Sequence, residues 1–404
     1  MPAIQRANLR ALNTRFSQTG ETEQLSHAPA SISLLLGTGG DRRIWPDAIT
    51  RRNRYGTLAV PADDEISFSS TTASNVSAEG FLAAGVALRR LIDLESPSPV
   101  AYDQWFADIR DAIPRNLGCV GAEVVLAASG TDAELIALCL FAGLSKRPLT
   151  NVLVAPDETG NGVPRAAAGC HYSDLTALGG TVEAGAPLEG LPPGRIEVRT
   201  IAIRNETGEP RHQHEIDADV IATVELELRR DRDVLVHVLD TSKTGLPAVT
   251  RQAARHVAAL APGRVHIIVD ACQFRGSISS LRQDLADGFV VALTGSKFIA
   301  GPPFSGALLI PSALALAFDE DRHSSGPCRI HRGPGLAGRP SPADSLRVQV
   351  GIEPGTGSAL GCRPGQSRAL CGNSRSAAKP RQGAICPPGA FSHRRHGGCL
   401  ASSA

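Results

Sequence analysis

Seven short apolar runs, none longer than eight residues, constrain the fold of this chain more than any other feature. They are Glu123 to Ala128, Asn151 to Ala155, Ile196 to Ile203, Val234 to Leu239, Val265 to Val269, Phe289 to Leu293 and Ala307 to Ile310. Runs of this length, rich in Val, Ile and Leu, suit strands buried on both faces, which is the situation of a parallel sheet covered by helices. Segments at helical spacing lie between them. Trp105, Phe106, Ile109 and Ile113 recur along Tyr102 to Leu117, and Ala133 to Leu144 and Val249 to Leu260 read the same way. The alternation predicts an α/β three-layer sandwich with a mostly parallel sheet. Aromatic residues make up only 4% of the 404 residues while 42% are hydrophobic, which fits helices packed on buried strands.

The net charge of +1 conceals two unlike parts. From Ser325 onward there are eleven Lys and Arg against two acids, leaving 30 basic and 38 acidic residues before it. The later part is rich in Gly, Pro, Ser, Arg and Cys and carries no periodicity of 2 or 3.6, the composition of a largely irregular segment. The expected organisation is therefore an N-terminal segment over 1–60, a large domain over 61–320 and a low-order basic tail over 325–404. So abrupt a change suggests an out-of-frame remnant of a smaller domain. A tail that binds an acidic partner is the other reading, but its arginines are scattered and no aromatic residues interleave with them, so nucleic acid is not expected.

Cys119, Cys139, Cys170 and Cys272 lie in apolar runs without paired spacing, as reduced thiols do. The tail's His393, His396 and Cys399 lack a fourth ligand at zinc-like spacing, and no metal is expected. The first twenty residues have no apolar signal core, and the longest apolar stretch, Phe289 to Phe318, is interrupted by Lys297, Pro302 and Pro303. A cytoplasmic protein without a membrane span is the expectation. Gly37, Gly39 and Gly40 invite comparison with a phosphate loop of a nucleotide-binding α/β protein, although no strand and helix frame them, and a plain turn accounts for them as well.

Ligands of open α/β sheets bind beyond the carboxyl ends of the strands, so the residues found there carry the functional argument. Ser129-Gly130-Thr131 opens a helix, where free N–H groups favour an anion; an ordinary N-cap serves equally. Asp270 ends an apolar strand, where a carboxylate is costly unless a cation or donor meets it. Lys297, in Thr294-Gly295-Ser296-Lys297, sits among glycines and apolar residues, where a desolvated amine suits imine chemistry and a snorkelling lysine is the alternative. Asp240 to Gly245 is a polar turn that can line the same crevice.

Together, and over about residues 50 to 310, these pieces resemble the fold-type-I enzymes of pyridoxal 5'-phosphate (PLP), in particular the class V aminotransferase and cysteine desulfurase group. The resemblance implies that Ser129, Gly130 and Thr131 bind the cofactor phosphate, with Thr294 or Ser296 adding a contact. It implies that His171, in Gly169-Cys170-His171-Tyr172-Ser173, stacks on the ring, and that Asp270 pairs with the ring nitrogen. Gln273 would reach the ring hydroxyl, Ser242 would line the site, and Lys297, 27 residues after Asp270, would carry the Schiff base. Asn205-Glu206-Thr207-Gly208 spells a phrase known from desulfurases, but a whole strand separates it from Asp270, and it is read as a surface turn. The implied activity is that of a transaminase or lyase working on an amino acid or other amine through an external aldimine. The implied assembly is a homodimer, with the Ser67 to Ser77 cluster completing a neighbouring subunit's site. The small domain that grips the substrate in such enzymes is not recognisable, so a vestigial PLP-binding protein without turnover is the competing expectation.

Overall fold

The computed structural model describes residues 29–38, 42–62, 64–93, 99–176, 180–303 and 305–320. The expected tail, with Cys328, His393, His396 and Cys399, and the glycines Gly39 and Gly40 lie outside these residues. Seven strands form one sheet: β1 (Glu123–Ala127), β2 (Leu149–Val154), β3 (Ile196–Ile201), β4 (Asp233–Leu239), β5 (Val265–Asp270), β6 (Val290–Thr294) and β7 (Gly306–Ile310), in the order β1-β7-β6-β5-β4-β2-β3. Each of the seven apolar runs is one of these strands. The parallel pairs are β2 with β3 and β4, β4 with β5, and β5 with β6, while β7 is antiparallel to both β6 and β1. Six strands therefore point one way and β7 alone is reversed. Strand direction is not written in a short apolar run, so the sequence does not single β7 out.

The helices are α1 (Pro29–Leu36), α2 (Ala78–Asp93), α3 (Pro99–Leu117), α4 (Gly130–Leu144), α5 (Val163–Ala167), α6 (Gln213–Arg229), α7 (Arg251–Leu260), α8 (Ile278–Ala286) and α9 (Ser312–Glu320). They cover both faces of the sheet, completing the expected three layers. Val234, Val236 and Val238 of β4 and Val265, Ile267 and Val269 of β5 pack on one side with Val220 and Val224 of α6 and Ala254 and Val257 of α7. Leu235 and Ile268 point to the other side, against Ile136, Ala137 and Leu140 of α4 and Phe318 of α9. The period of two along each strand thus decides which helix layer a residue meets. It also puts His237 and Asp270 on the α4 side, in phase with Leu235 and Ile268.

Helix α6 was not among the expected elements. Its apolar face is narrow, with Ile216, Val220 and Val224 buried between acidic neighbours, so its periodicity is diluted in the sequence. In its last turn, Glu227 is fully buried and pairs with Arg199 at 3.0 Å and with the Thr150 hydroxyl at 2.9 Å. Among the described residues no helix is long and apolar enough to cross a membrane.

Phe141 of α4, 1% exposed, is the largest fully buried side chain of the α4 layer, stacked on His266 at 4.6 Å and edge-on to Phe318 at 5.4 Å between ring centres. Phe141→Ala should cost about 3–5 kcal/mol, read as a lower urea midpoint with an unchanged slope.

Candidate functional site

Because six strands share a direction, the segments following β1, β2, β4, β5 and β6 emerge at one edge of the sheet. A cavity of about 1010 Å³ opens there, lined by Ser129, Gly130, Thr131, Gly160, Asn161, Lys243, Asp270, Cys272, Thr294, Ser296 and Lys297 among others. The two residues that the spacing paired, Asp270 and Lys297, thus share one cavity with the start of α4. The rim is cationic: Arg43, Arg51, Arg54 and Arg165 join Lys243 and Lys297, against Asp174 and Asp270. A cavity of this character attracts an anionic ligand.

Ser129 is the N-cap of α4, its hydroxyl accepting from the Asp132 N–H at 3.2 Å and donating to the Asp132 carboxylate at 2.6 Å. The N-cap reading of this turn therefore holds, and the same helix start still faces the cavity. Gly130 is required by packing: a Cβ there would lie 2.5 Å from Cys272 Sγ. Gly306, at the start of β7, is held in the same way, since a Cβ would meet the carbonyl oxygens of Ala127 and Ser129 at 2.9 Å.

Asp270 is 7% exposed. Its Oδ1 accepts from the Cys272 N–H at 2.9 Å and its Oδ2 from the Thr159 hydroxyl at 3.2 Å. Burial would push this carboxyl up, but the charges of His237 and Lys297 and the Cys272 N–H outweigh it and hold Asp270 below the usual carboxylate range. Beyond Asp270, His237 of β4 and Glu134 of α4 complete a buried cluster, with His237 Nε2 3.1 Å from Glu134 Oε1 and 3.8 Å from Asp270 Oδ2. Burial raises the Glu134 carboxyl. Burial opposes a charge on His237, yet its two carboxylate neighbours, Glu134 foremost, raise it above the ordinary imidazole value. The three side chains have the proximity of metal ligands. A metal ion would have to displace the proton that joins Nε2 to the carboxylates, and no fourth protein ligand stands with them among the described residues.

The other expected site residues are distributed unevenly. Thr294 and Ser296 line the cavity, and the Thr294 hydroxyl donates to the Cys272 carbonyl at 2.8 Å. Gln273 is buried and does not line the cavity, and its Oε1 lacks a hydrogen-bond partner. Ser242 is fully buried inside its turn, accepting from the Leu246 N–H at 3.0 Å, and Lys243 beside it lines the cavity instead. His171 lines an adjoining apolar cavity of about 910 Å³ rather than the one holding Lys297. Its backbone is tied to the Gly185-Ala186 turn by two bonds of 2.9 and 2.7 Å. Tyr172 lines both cavities, its hydroxyl donating to Asp132 at 2.6 Å with Arg43 stacked 5.0 Å from the ring centre.

Within the Ser67 to Ser77 cluster, Thr71 to Ser74 line the cavity of their own chain, and the Ser74 N–H donates to the Ser296 carbonyl at 3.0 Å. Asn205 is exposed and caps its own turn, accepting from the Thr207 and Glu209 N–H groups. Gly37 follows the carboxyl end of α1, the end of a helix that disfavours a phosphate. Glu134, His237 and Thr159 were missed by the sequence reading, and Lys243 was read only as part of the Asp240 to Gly245 turn. The period-two pattern of β4 was the signal for His237, since an interior polar residue in a strand buried on both faces needs a partner.

Neither a protein-family model nor a curated protein sequence matches the chain. Solved structures similar to it include mouse CSAD (15% identity, 68% of this chain and 55% of that one, TM-score 0.43). Oryza sativa TDC, crystallised with PLP and tryptamine, is similar at 14% identity over 62% of this chain and 50% of that one, TM-score 0.39. The histidinol-phosphate aminotransferase of Clostridium acetobutylicum is similar at 15% identity over 54% of this chain and 53% of that one, TM-score 0.34. The chain spans roughly half the length of the solved chains it matches.

Gly130→Ala should lower stability by about 1–3 kcal/mol, and Cys272→Ala in the same chain should return most of it, read from urea midpoints of the two variants. The Asp270 carboxyl, lowered on folding, contributes stability that is present above its unfolded value of about 3.9 and lost as pH falls through the lower folded value. The stability of the wild type relative to Asp270→Asn should therefore decline as pH is taken from about 5 to below 4, followed by urea unfolding at each pH.

Proposed function

We propose that this protein is a PLP-dependent enzyme acting on an amino acid or other small amine, of the transaminase or lyase type. One arrangement carries the reading: a lysine, a buried ionised aspartate and an anion-favouring helix start line a single cavity with a cationic rim. The donor set fits such a cofactor. Ser129, Gly130 and Thr131, with Thr294 and Ser296, would hold the phosphate. Asp270, an anion lining the cavity, would face the ring nitrogen.

PLP, when bound, supplies an electron sink for a bond broken beside the substrate nitrogen. The rest of the work falls to the chain. Lys297 provides the amine and, at Nζ, a group that takes up and returns a proton. Lys243, 3.3 Å from the Asn161 side-chain oxygen, is half-buried; burial and the neighbouring Lys297 lower its ammonium, with Asp270 opposing. It is placed to orient an anionic substrate group. The Thr71 to Ser74 segment and the α4 start narrow the access of water. His171, from the adjoining cavity, is left with the weaker part of the role that the resemblance assigns it.

The same reading proposes a small-molecule amine or amino-acid substrate, a homodimer and a cytoplasmic location. Purified protein supplied with PLP should show an absorbance band near ~410–430 nm that disappears in Lys297→Ala. A protein that retains no PLP, or a band that survives Lys297→Ala, would falsify the proposal.

A further inference from the structure

Behind the carboxylate that faces the cavity stands a cluster that the proposed chemistry does not use. Glu134 (7% exposed) comes from the second turn of α4 and His237 (1% exposed) from the middle of β4, and both are shut off from the solvent that would ordinarily stabilise their charges. Two ionisable groups are not expected in such a place unless each answers the other. The only ring nitrogen with a partner is Nε2, and both groups it faces, Glu134 Oε1 and Asp270 Oδ2, are carboxylate oxygens. With both acids at Nε2 and the imidazole raised above its ordinary value beside them, the proton is assigned to Nε2. Nδ1 is buried without a partner, so nothing on that side holds the ring. Its orientation depends on Glu134.

We propose that Glu134 is a positioning residue: by accepting the Nε2 proton of His237 it fixes the imidazole behind Asp270 and so sets the negative charge that Asp270 presents to the cavity. The two acids compete for one proton donor. The nearer, Glu134, takes the hydrogen bond at 3.1 Å, and Asp270, at 3.8 Å, keeps its own donors, Cys272 N–H and the Thr159 hydroxyl, together with the imidazole's charge. The charged and titratable groups facing the cluster are Lys297 and Lys243 across Asp270 and the Cys272 thiol, which burial and Asp270 raise well above its ordinary value and keep neutral. No other cation touches Glu134 among the described residues, so removal of its charge should be felt first at His237.

The proposal rests on the PLP reading for its consequence to the cofactor alone, and the test separates the two. In full-length protein with nitrogen-15-labelled histidine and no added PLP, His237 should appear as the Nε2–H tautomer and titrate above an ordinary imidazole. Glu134→Gln should move that titration down by about one pH unit or more, a tenfold loss of proton affinity. Glu134→Asp should restore part of the shift, and serves as the decisive variant should Glu134→Gln not fold. An unmoved His237 titration, or an Nδ1–H tautomer in the wild type, overturns the proposal.

With PLP added, equilibrium dialysis should give a Kd about tenfold higher in Glu134→Gln, and Glu134→Gln combined with His237→Gln should be no worse than the poorer single variant. Additive losses would show that Glu134 does not act through His237. Absence of PLP binding in the wild type defeats the proposed function while leaving the histidine titration to decide the role of Glu134.

Discussion

A carboxylate at the end of a strand buried on both faces is the constraint around which the functional edge of this protein is organised. Asp270 cannot remain ionised there without help, and each neighbouring element supplies some. The turn after β5 gives a backbone N–H, the segment after β2 gives the Thr159 hydroxyl, β4 gives an imidazole and the loop after β6 gives Lys297. None of these alone offsets the loss of hydration, which for an isolated buried carboxylate would exceed the whole stability of a domain. The arrangement is cooperative, and the register of three adjacent strands is bound up with it.

The sheet's directionality makes this possible. Successive parallel strands return through helices on the two faces, so each strand delivers its carboxyl end to the same edge. Seven strands in one direction would have left no short route from the lysine loop back to the helix start. The reversal at β7 provides it: β7 leaves the cavity edge, pairs with both β6 and β1, and brings the Ser129 turn against the segment that carries Lys297. The close approach of Gly306 to the Ala127 and Ser129 carbonyls is the point where those two pieces meet.

Much of this could be read from residues, and the reason differs from case to case. All seven strands were evident because buried strands are uniformly apolar and short. Asp270 and Lys297 were evident because a charge in such surroundings is expensive and therefore conspicuous. Helix α6 was obscured by acidic residues that buttress its exposed side. From the Asp240 to Gly245 turn Ser242 was named rather than Lys243, because a turn's sequence does not say which of two adjacent side chains faces the cavity. Glu134 escaped because an acid near the start of a helix looks like surface charge until the helix is packed, when its side chain meets His237 of β4. His171 was placed by the order of motifs, whereas it lines the adjoining cavity, with a backbone pairing to Gly185 and Ala186 that no local pattern announces.

The place of β1 in the sheet has a bearing on how the chain is made. Among the described residues it is an edge strand whose partner is β7, the last of the seven strands in chain order. While the intervening strands can pair as they emerge, Glu123–Ala127 must wait, its backbone donors and acceptors satisfied by water or by whatever binds nascent chains. Closure of the cavity in this sense waits until Gly306–Ile310 has been made, so a chain released before then keeps most of the parallel sheet but lacks the anchored turn at Ser129.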